Sequence, residues 1–414
     1  MYNTATIGVR YASISTKLAL TALFSLRNCT SFSVIALKST RRIVHHRPLH
    51  SMMMSTTNIY KRAKLLDTDN ENGASGRVVS DKVIGTHSGT FQADEAMGCW
   101  MLRQLPEYYE AKIVRSRDPI TLDPLNIVID VGGTYDHSKL RYDHHQRGYD
   151  ERFPFPRMGT LVPEPRCTKL SASGLVYLHY GKEVIQQYYP FLPPAALDLA
   201  SVKLYDSLLE ALDAIDTGVE QVPEGVTPVY KDSTGLASRV GRLNPRWNEE
   251  DDVSIDADER FAEAVRICGI DFVSCLTAIV ESDLPAREFV ERALLQRFAT
   301  SASGQIIALD AGGMPWKNHL YTLERMHNID PLIKFVLYED KVGGMWRVQA
   351  VTVEGTGFTN RLGLPDEWRG VRDDILEEVT KIPGSRFVHA AGFIGGATTF
   401  DGVLQMAEVA LQRL

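Results

Sequence analysis

The sequence predicts an α/β protein: a domain built on a parallel sheet, then helices, then a smaller C-terminal α/β domain. Three observations carry this. From Lys82 onward, strand-like and helix-like stretches alternate at the short spacing that gives parallel strands with crossover helices. The run Asn126–Val131 is apolar and β-branched and ends on Gly132-Gly133, as a strand buried on both faces would. After residue 300, strands and helices interleave again.

In order along the chain, residues 65–80 are polar, contain Gly, Asn and Ser, and read as linker. Lys82–Thr86 is a strand running into a Gly-rich turn, Ala93–Leu105 the helix that follows, and Ala111–Ser116 a second strand. Residues 150–167 hold Pro154, Pro156, Pro163 and Pro165 and are irregular. Ser171–Tyr189 and Ala195–Ile215 are helices, the second with Leu199, Val202, Leu208, Leu209 and Leu212 on a core face. A helical stretch over Asp258–Phe298 is expected to break near Pro285. Strands follow at Gln305–Leu309, Ile333–Tyr338 and Trp346–Val353, then a helix near Val371–Val379. A strand at Phe387–Ala390, a Gly-rich turn and a closing helix complete the chain. The expected divisions are 1–60 targeting segment, 61–80 linker, 81–235 metal-binding domain, 236–300 helical connector and 301–414 C-terminal domain.

Charge is distributed unevenly. Residues 1–66 contain ten Lys or Arg and no acid, so the net charge of −7 conceals a body with 35 basic against 52 acidic residues. Such a body does not bind nucleic acid by broad counterion release; a polyanionic substrate needs a local basic patch or bound cations. The Arg- and Ser-rich, acid-poor start has the pattern of a mitochondrial transit peptide, which implies the matrix. Met52, Met53 and Met54 offer internal starts, and Lys61, Arg62 and Lys64 a weak nuclear signal, so a nuclear or cytoplasmic form is also expected. No apolar run reaches the length of a membrane span, and no membrane partner is expected. The five cysteines are scattered, without a CxxC pair, which argues against a disulfide framework and against structural zinc. Oligomeric state is not encoded in any visible pattern.

Four clusters carry chemistry. The segment GTHSGTFQADEA, residues 85–96, places His87 and Asp94 just beyond a strand, where open parallel sheets bind ligands. Asp130 ends the buried run, and a carboxylate there is costly unless paired or bound to metal. Asp143-His144-His145 follows another β-like stretch. LDAIDTG, residues 212–218, sets Asp213 and Asp216 one turn apart. Each also has a plain reading: a hydrogen-bonded turn histidine, a capping aspartate, a surface histidine pair, a solvated helix face. Together, His and Asp from several strand ends suit Mn²⁺, Mg²⁺ or Fe²⁺.

This order of a strand-end His with spaced acids, a strand-end Asp, Asp-His-His and a later Asp resembles the DHH phosphoesterase superfamily. Within it, GTHSGTFQADEA, DVGGTYDHSKLRYDHHQR, LDAIDTG, SRVGRLNPRWN, LPAREFVERALLQRF, PWKNHLYTLE, LPDEWRG and FVHAAGFIGG resemble the MYG exonuclease family, from residue 85 to residue 396. The resemblance implies a DHH-like first domain and a substrate-binding C-terminal domain. It also implies a metal-dependent 3′–5′ RNA exonuclease of mitochondria and nucleus. Carried over by position, His87, Asp94 and His144 are metal ligands and Asp130 bridges two ions that activate a water. His145 serves as proton donor and Asp143 orients the histidine pair. Asp216 is the late ligand, with Asp213 the alternative. His389, Gly392, Gly395 and Gly396 form the Gly-rich substrate turn, and Arg239 and Arg242, with Asn244, contact phosphate or make structural ion pairs. The family carries His at the position of Gln92. A neutral amide there is a weaker ligand that favours Mg²⁺, so a lower activity or a higher metal requirement is expected. The rival expectations are a small-molecule phosphoesterase or pyrophosphatase, and a non-catalytic RNA-binding regulator weakened at Gln92.

Overall fold

The computed structural model describes residues 79–157, 166–223, 225–249 and 256–413; the stretch expected to be a targeting segment and most of the expected linker lie outside them. The first sheet contains β1 (Val83–Thr86), β2 (Lys112–Arg115), β3 (Ile127–Ile129), β4 (Tyr135–Asp136) and β5 (Arg141–Tyr142), in the order β2-β1-β3-β5-β4. All pairs are parallel except β4 with β5. Helix α1 (Ala93–Gln104) is the crossover after β1 and is buried on nearly every face, because α2 (Ala172–Tyr188) and α6 (Ala257–Thr277) both pack on it. Ile84, Met97, Leu102, Ile127, Ile129, Val176 and Phe272 belong to this core.

The helix expected over 195–215 is observed as α3 (Pro194–Leu204), a π-helical stretch Tyr205–Leu209, and α4 (Glu210–Asp216). Helix α5 (Leu236–Gly241) precedes the long α6. The expected break near Pro285 takes the form of a change in helix type rather than an end to the helix. A π-helical stretch, Ala278–Asp283, leads directly into α7 (Leu284–Leu295), and Pro285 falls in the first turn of α7, where its missing N–H is least costly. Asp283 closes that stretch and receives Lys203 Nζ at 2.6 Å from α3. It also receives His319 Nε2 at 3.2 Å from a helix of the C-terminal region.

The second sheet is mixed: β6 (Ile306–Ala308), β7 (Phe335–Asp340), β8 (Met345–Ala350), β9 (Ser385–Val388) and β10 (Ile394–Ala397), ordered β6-β7-β8-β10-β9. Only β6 and β7 pair in parallel. Helices α8 (Lys317–Met326), α9 (Asp373–Thr380) and α10 (Phe400–Gln412) accompany it. The sequence reading contained no helix at α8. It also placed a turn at Gly395-Gly396, which lie within β10, between β8 and β9. Among the described residues, no helix is long and apolar enough to cross a membrane.

Candidate metal centre

Parallel pairing sets Thr86 beside Arg115 and Ile129 beside Tyr142, so the residues that follow these strands emerge at one edge of the sheet. They are His87, Arg117, Asp130 and Asp143-His144-His145. Asp94 and Glu95 come from the first turn of α1, where the helix dipole favours carboxylates. Asp130 sits at φ 56°, a left-handed conformation that aspartate tolerates better than most residues. Its N–H donates to Tyr142 O at 3.0 Å, which aims the carboxylate into the middle of the group.

His87 Nε2 lies 3.0 Å from Glu95 Oε1 and 3.3 Å from Asp130 Oδ2. Asp130 Oδ1 is 3.7 Å from Nδ1 of both His144 and His145, and His144 Nε2 is 2.8 Å from Asp216 Oδ2. Two sets of ligand atoms, His87/Glu95/Asp130 and Asp130/Asp143/His144/His145, each fall within 4.8 Å, and Asp130 belongs to both.

The electrostatics show what this group lacks. Asp94 is 2% exposed, and neither of its oxygens has a hydrogen-bond partner among the described residues. Asp130 Oδ1, Glu95 Oε2 and His144 Nδ1 are likewise buried without one. Burial holds the Asp94 carboxyl well above the usual range, and Asp130, Glu95 and Asp216 add repulsion. Burial also raises Asp130, against the pull of His87. Burial alone would lower His87, but its hydrogen bonds to Asp130 and Glu95 outweigh that and raise it to about 10. Orphaned carboxylate oxygens and imidazole nitrogens gathered around one residue are a donor set that a divalent cation satisfies, so the residues present fit a hard metal ion.

The other expected residues divide. Asp143 is buried; its Oδ1 accepts the N–H of His145 at 3.0 Å and His145 Nδ1 at 2.8 Å, and its Oδ2 accepts Gly133 N–H at 2.5 Å. The His145 side chain is 61% exposed, on the solvent side of the cluster. Gln92 is exposed at the N-cap of α1, its own N–H donating to Glu95 Oε1 at 2.8 Å. Asp213 is placed elsewhere. Its Oδ1 accepts Ser171 N–H, Ser171 Oγ and Gly174 N–H at 3.0, 2.7 and 3.1 Å, and Oδ2 accepts Tyr205 Oη at 2.7 Å, which leaves no oxygen for a metal. Arg239 is in an ion pair with Asp271 at 2.7 Å, and Arg242 donates to Ser233 O at 2.9 Å. Asn244 clamps the backbone of Phe91, accepting its N–H and donating to its carbonyl.

In the C-terminal sheet, Gly392 (φ 68°) makes the tight turn between β9 and β10, with its N–H donated to His389 O at 2.8 Å. His389 Nδ1 accepts Ala391 N–H at 3.1 Å. Gly395 and Gly396 are flanked by strands on both sides, where main-chain amides serve the ladder. A Cβ at residue 396 would meet the Phe387 ring at 2.6 Å and Arg347 Nη1 at 2.8 Å, so packing accounts for that glycine.

Two residues escaped the sequence reading. Glu95 reads as an N-terminal helix acid, and its adjacency to Asp94 was the available signal. Arg117 follows a predicted strand end, the position already treated as diagnostic for His87 and Asp130. Its Nε donates to Ser88 O at 3.0 Å, and its Nη2 lies 3.1 Å from His87 Nδ1.

Fold and site define an α/β protein with a carboxylate–imidazole centre for a divalent cation at the carboxyl edge of a parallel sheet. Residues 83–411 match the family described as Uncharacterised protein family (UPF0160), MYG1_exonuc. The chain is 46% identical over 330 residues to the MYG1 exonuclease of Rattus norvegicus, covering 79% of this chain and 84% of that one. It is 42% identical over 370 residues to the MYG1 exonuclease of Homo sapiens (88% and 96%) and 44% identical over 329 residues to the MYG1 protein of Dictyostelium discoideum (80% and 96%). The chain belongs to the MYG1 exonuclease family. Such membership and the acidic–imidazole centre support a hydrolase of the nuclease or phosphoesterase kind.

Proposed function

We propose that this protein is a metal-dependent 3′–5′ RNA exonuclease that uses two divalent ions, Mn²⁺ or Mg²⁺. The observation that carries the reading is the set of buried, unpartnered oxygens on Asp94, Glu95 and Asp130, the last of these shared by two ligand sets. The exonuclease names of the rat and human relatives support it. His87, Asp94, Glu95 and Asp130 would hold one ion, and Asp130, His144 and Asp216 the other. Bound there, the ions would supply Lewis acidity and an activated water.

The chain's own residues do the rest. Asp143 fixes the proton of His145 on Nδ1 and aims Nε2 outward, where it exchanges a proton with the leaving oxygen. Packing around α1 keeps Asp94 and Glu95 rigid. The acid-free first 66 residues support delivery to the mitochondrial matrix, with shorter nuclear or cytoplasmic forms from internal starts.

The test is release of mononucleotides from a 3′-labelled oligoribonucleotide across several divalent ions, with Asp130→Ala as control and inorganic pyrophosphate as competing substrate. Preferential cleavage of pyrophosphate replaces the exonuclease with a small-molecule phosphoesterase, which the acidic body would suit. RNA binding without turnover in any metal identifies a regulator instead.

A further inference from the structure

We propose that Arg117, just beyond the edge strand β2 and beside the metal centre, is a binding residue for the substrate's phosphate. This rests on the phosphoesterase reading above. Arg117 emerges from the same sheet edge as the ligands, is exposed, and makes no ion pair with any described acid. That is unusual beside a cluster of five carboxylates. Its neighbour Arg115, by contrast, is consumed by Gly89 O, Ala257 O and Asp258.

The hydrogen-bond valence around His87 decides what Arg117 can do. Arg117 Nε donates to Ser88 O at 3.0 Å, and the same carbonyl lies 3.2 Å from His87 Nδ1. Arg117 Nη2 faces His87 Nδ1 at 3.1 Å. An imidazole that gives Nε2 to a cation keeps its proton on Nδ1, and Nδ1–H then donates to Ser88 O. A protonated Nδ1 cannot accept from Nη2. The ligand role of His87 therefore leaves the Nη groups of Arg117 as donors without an acceptor, while Nε stays anchored to Ser88. An anchored guanidinium with free Nη donors, next to ions that themselves attract phosphate, is matched to the planar oxygen pair of a phosphate. The ligand class is a phosphomonoester or phosphodiester group. The product-like probe is adenosine 5′-monophosphate.

The full chain loaded with Mn²⁺ is titrated with adenosine 5′-monophosphate by calorimetry, and Mn²⁺ affinity is measured separately from the paramagnetic resonance of the free ion. Arg117→Gln is expected to weaken nucleotide binding by about tenfold or more, the worth of a charge-assisted hydrogen bond, with Mn²⁺ affinity unchanged. Arg117→Lys, which keeps the charge but not the fork, falls between. Equal nucleotide affinity in Arg117→Gln overturns the inference. So does a parallel loss of Mn²⁺ affinity in both variants, because Arg117 would then only position His87. A parent chain that binds no Mn²⁺ fails the metal-centre reading itself, and the role of Arg117 falls with it.

Discussion

Asp213 caps the helix that begins after Ser171 from a different part of the chain: its Oδ1 accepts both the backbone N–H of Ser171 at 3.0 Å and the Ser171 hydroxyl at 2.7 Å. The N-terminus of α2 lacks a side-chain cap of its own, and the carboxylate faces the positive end of the helix dipole. Gly174 makes the approach possible, since a Cβ there would collide with the Asp213 carboxylate.

Replacing Asp213 with Ala leaves several buried donors without an acceptor. At roughly 1–3 kcal/mol per orphaned group, the loss is about 3 kcal/mol or more. Asp213→Asn keeps one carbonyl oxygen and is expected to lose about half as much. Thermal unfolding measures both. Mn²⁺ affinity of folded Asp213→Asn is expected to match the parent, whereas Asp216→Asn is expected to lose it; the reverse pattern would make Asp213 the ligand.

The same residue gives stability a pH dependence of defined sign. Burial, partly offset by hydrogen bonds from Ser171 and Tyr205, raises the Asp213 carboxyl from 3.8 to about 6. The folded state thus holds this proton more tightly than the unfolded one. Its contribution is fully present below about pH 4 and is lost as pH rises through about 6. The melting-temperature advantage of the parent over Asp213→Asn is expected to shrink between pH 4.5 and about 7.5, and a growing gap contradicts the assignment.

Asp94 should trade stability for metal. Without a cation, its buried carboxylate faces Asp130, Glu95 and Asp216. Asp94→Asn removes that repulsion and is expected to raise the melting temperature of the metal-free protein while abolishing the stabilisation that added Mn²⁺ gives the parent. Melting curves with EDTA and with Mn²⁺ separate the two effects. A drop in the metal-free melting temperature would show Asp94 to be an ordinary core residue.

Gln92 is exposed at the N-cap of α1, one helical turn from Glu95. Gln92→His is expected to lower the Mn²⁺ concentration needed for half-maximal activity by about tenfold, the scale of changes around metal ligands. An unchanged metal titration places residue 92 outside the centre.

Much of the centre was legible because parallel strands put their chemistry at one end. Asp130 ends an apolar run and His144 follows a strand, and sequence alone exposes both facts. Asp213 and Asp216 could not be separated that way. Their spacing puts them one turn apart on the same side of α4, and the contact that claims Asp213 comes from Ser171 and Gly174, some forty residues earlier. Glu95 was hidden because an acid in the first turn of a helix already has a sufficient local explanation. Gly395 and Gly396 looked like a turn because small residues usually mark one. The Phe387 ring and Arg347 guanidinium that fill the space over residue 396 are set by the pairing of β8, β9 and β10, which composition does not reveal.

The left-handed backbone at Asp130 also has a bearing on how this centre can decay over evolutionary time. Glycine and asparagine fit that conformation with little strain, and neither supplies a negative charge. The substitutions the fold tolerates best at residue 130 are therefore those that silence the chemistry. A descendant that has abandoned catalysis but kept its architecture would betray itself first by Asp130→Asn or Asp130→Gly, a signature that can be sought in genomes before any protein is made.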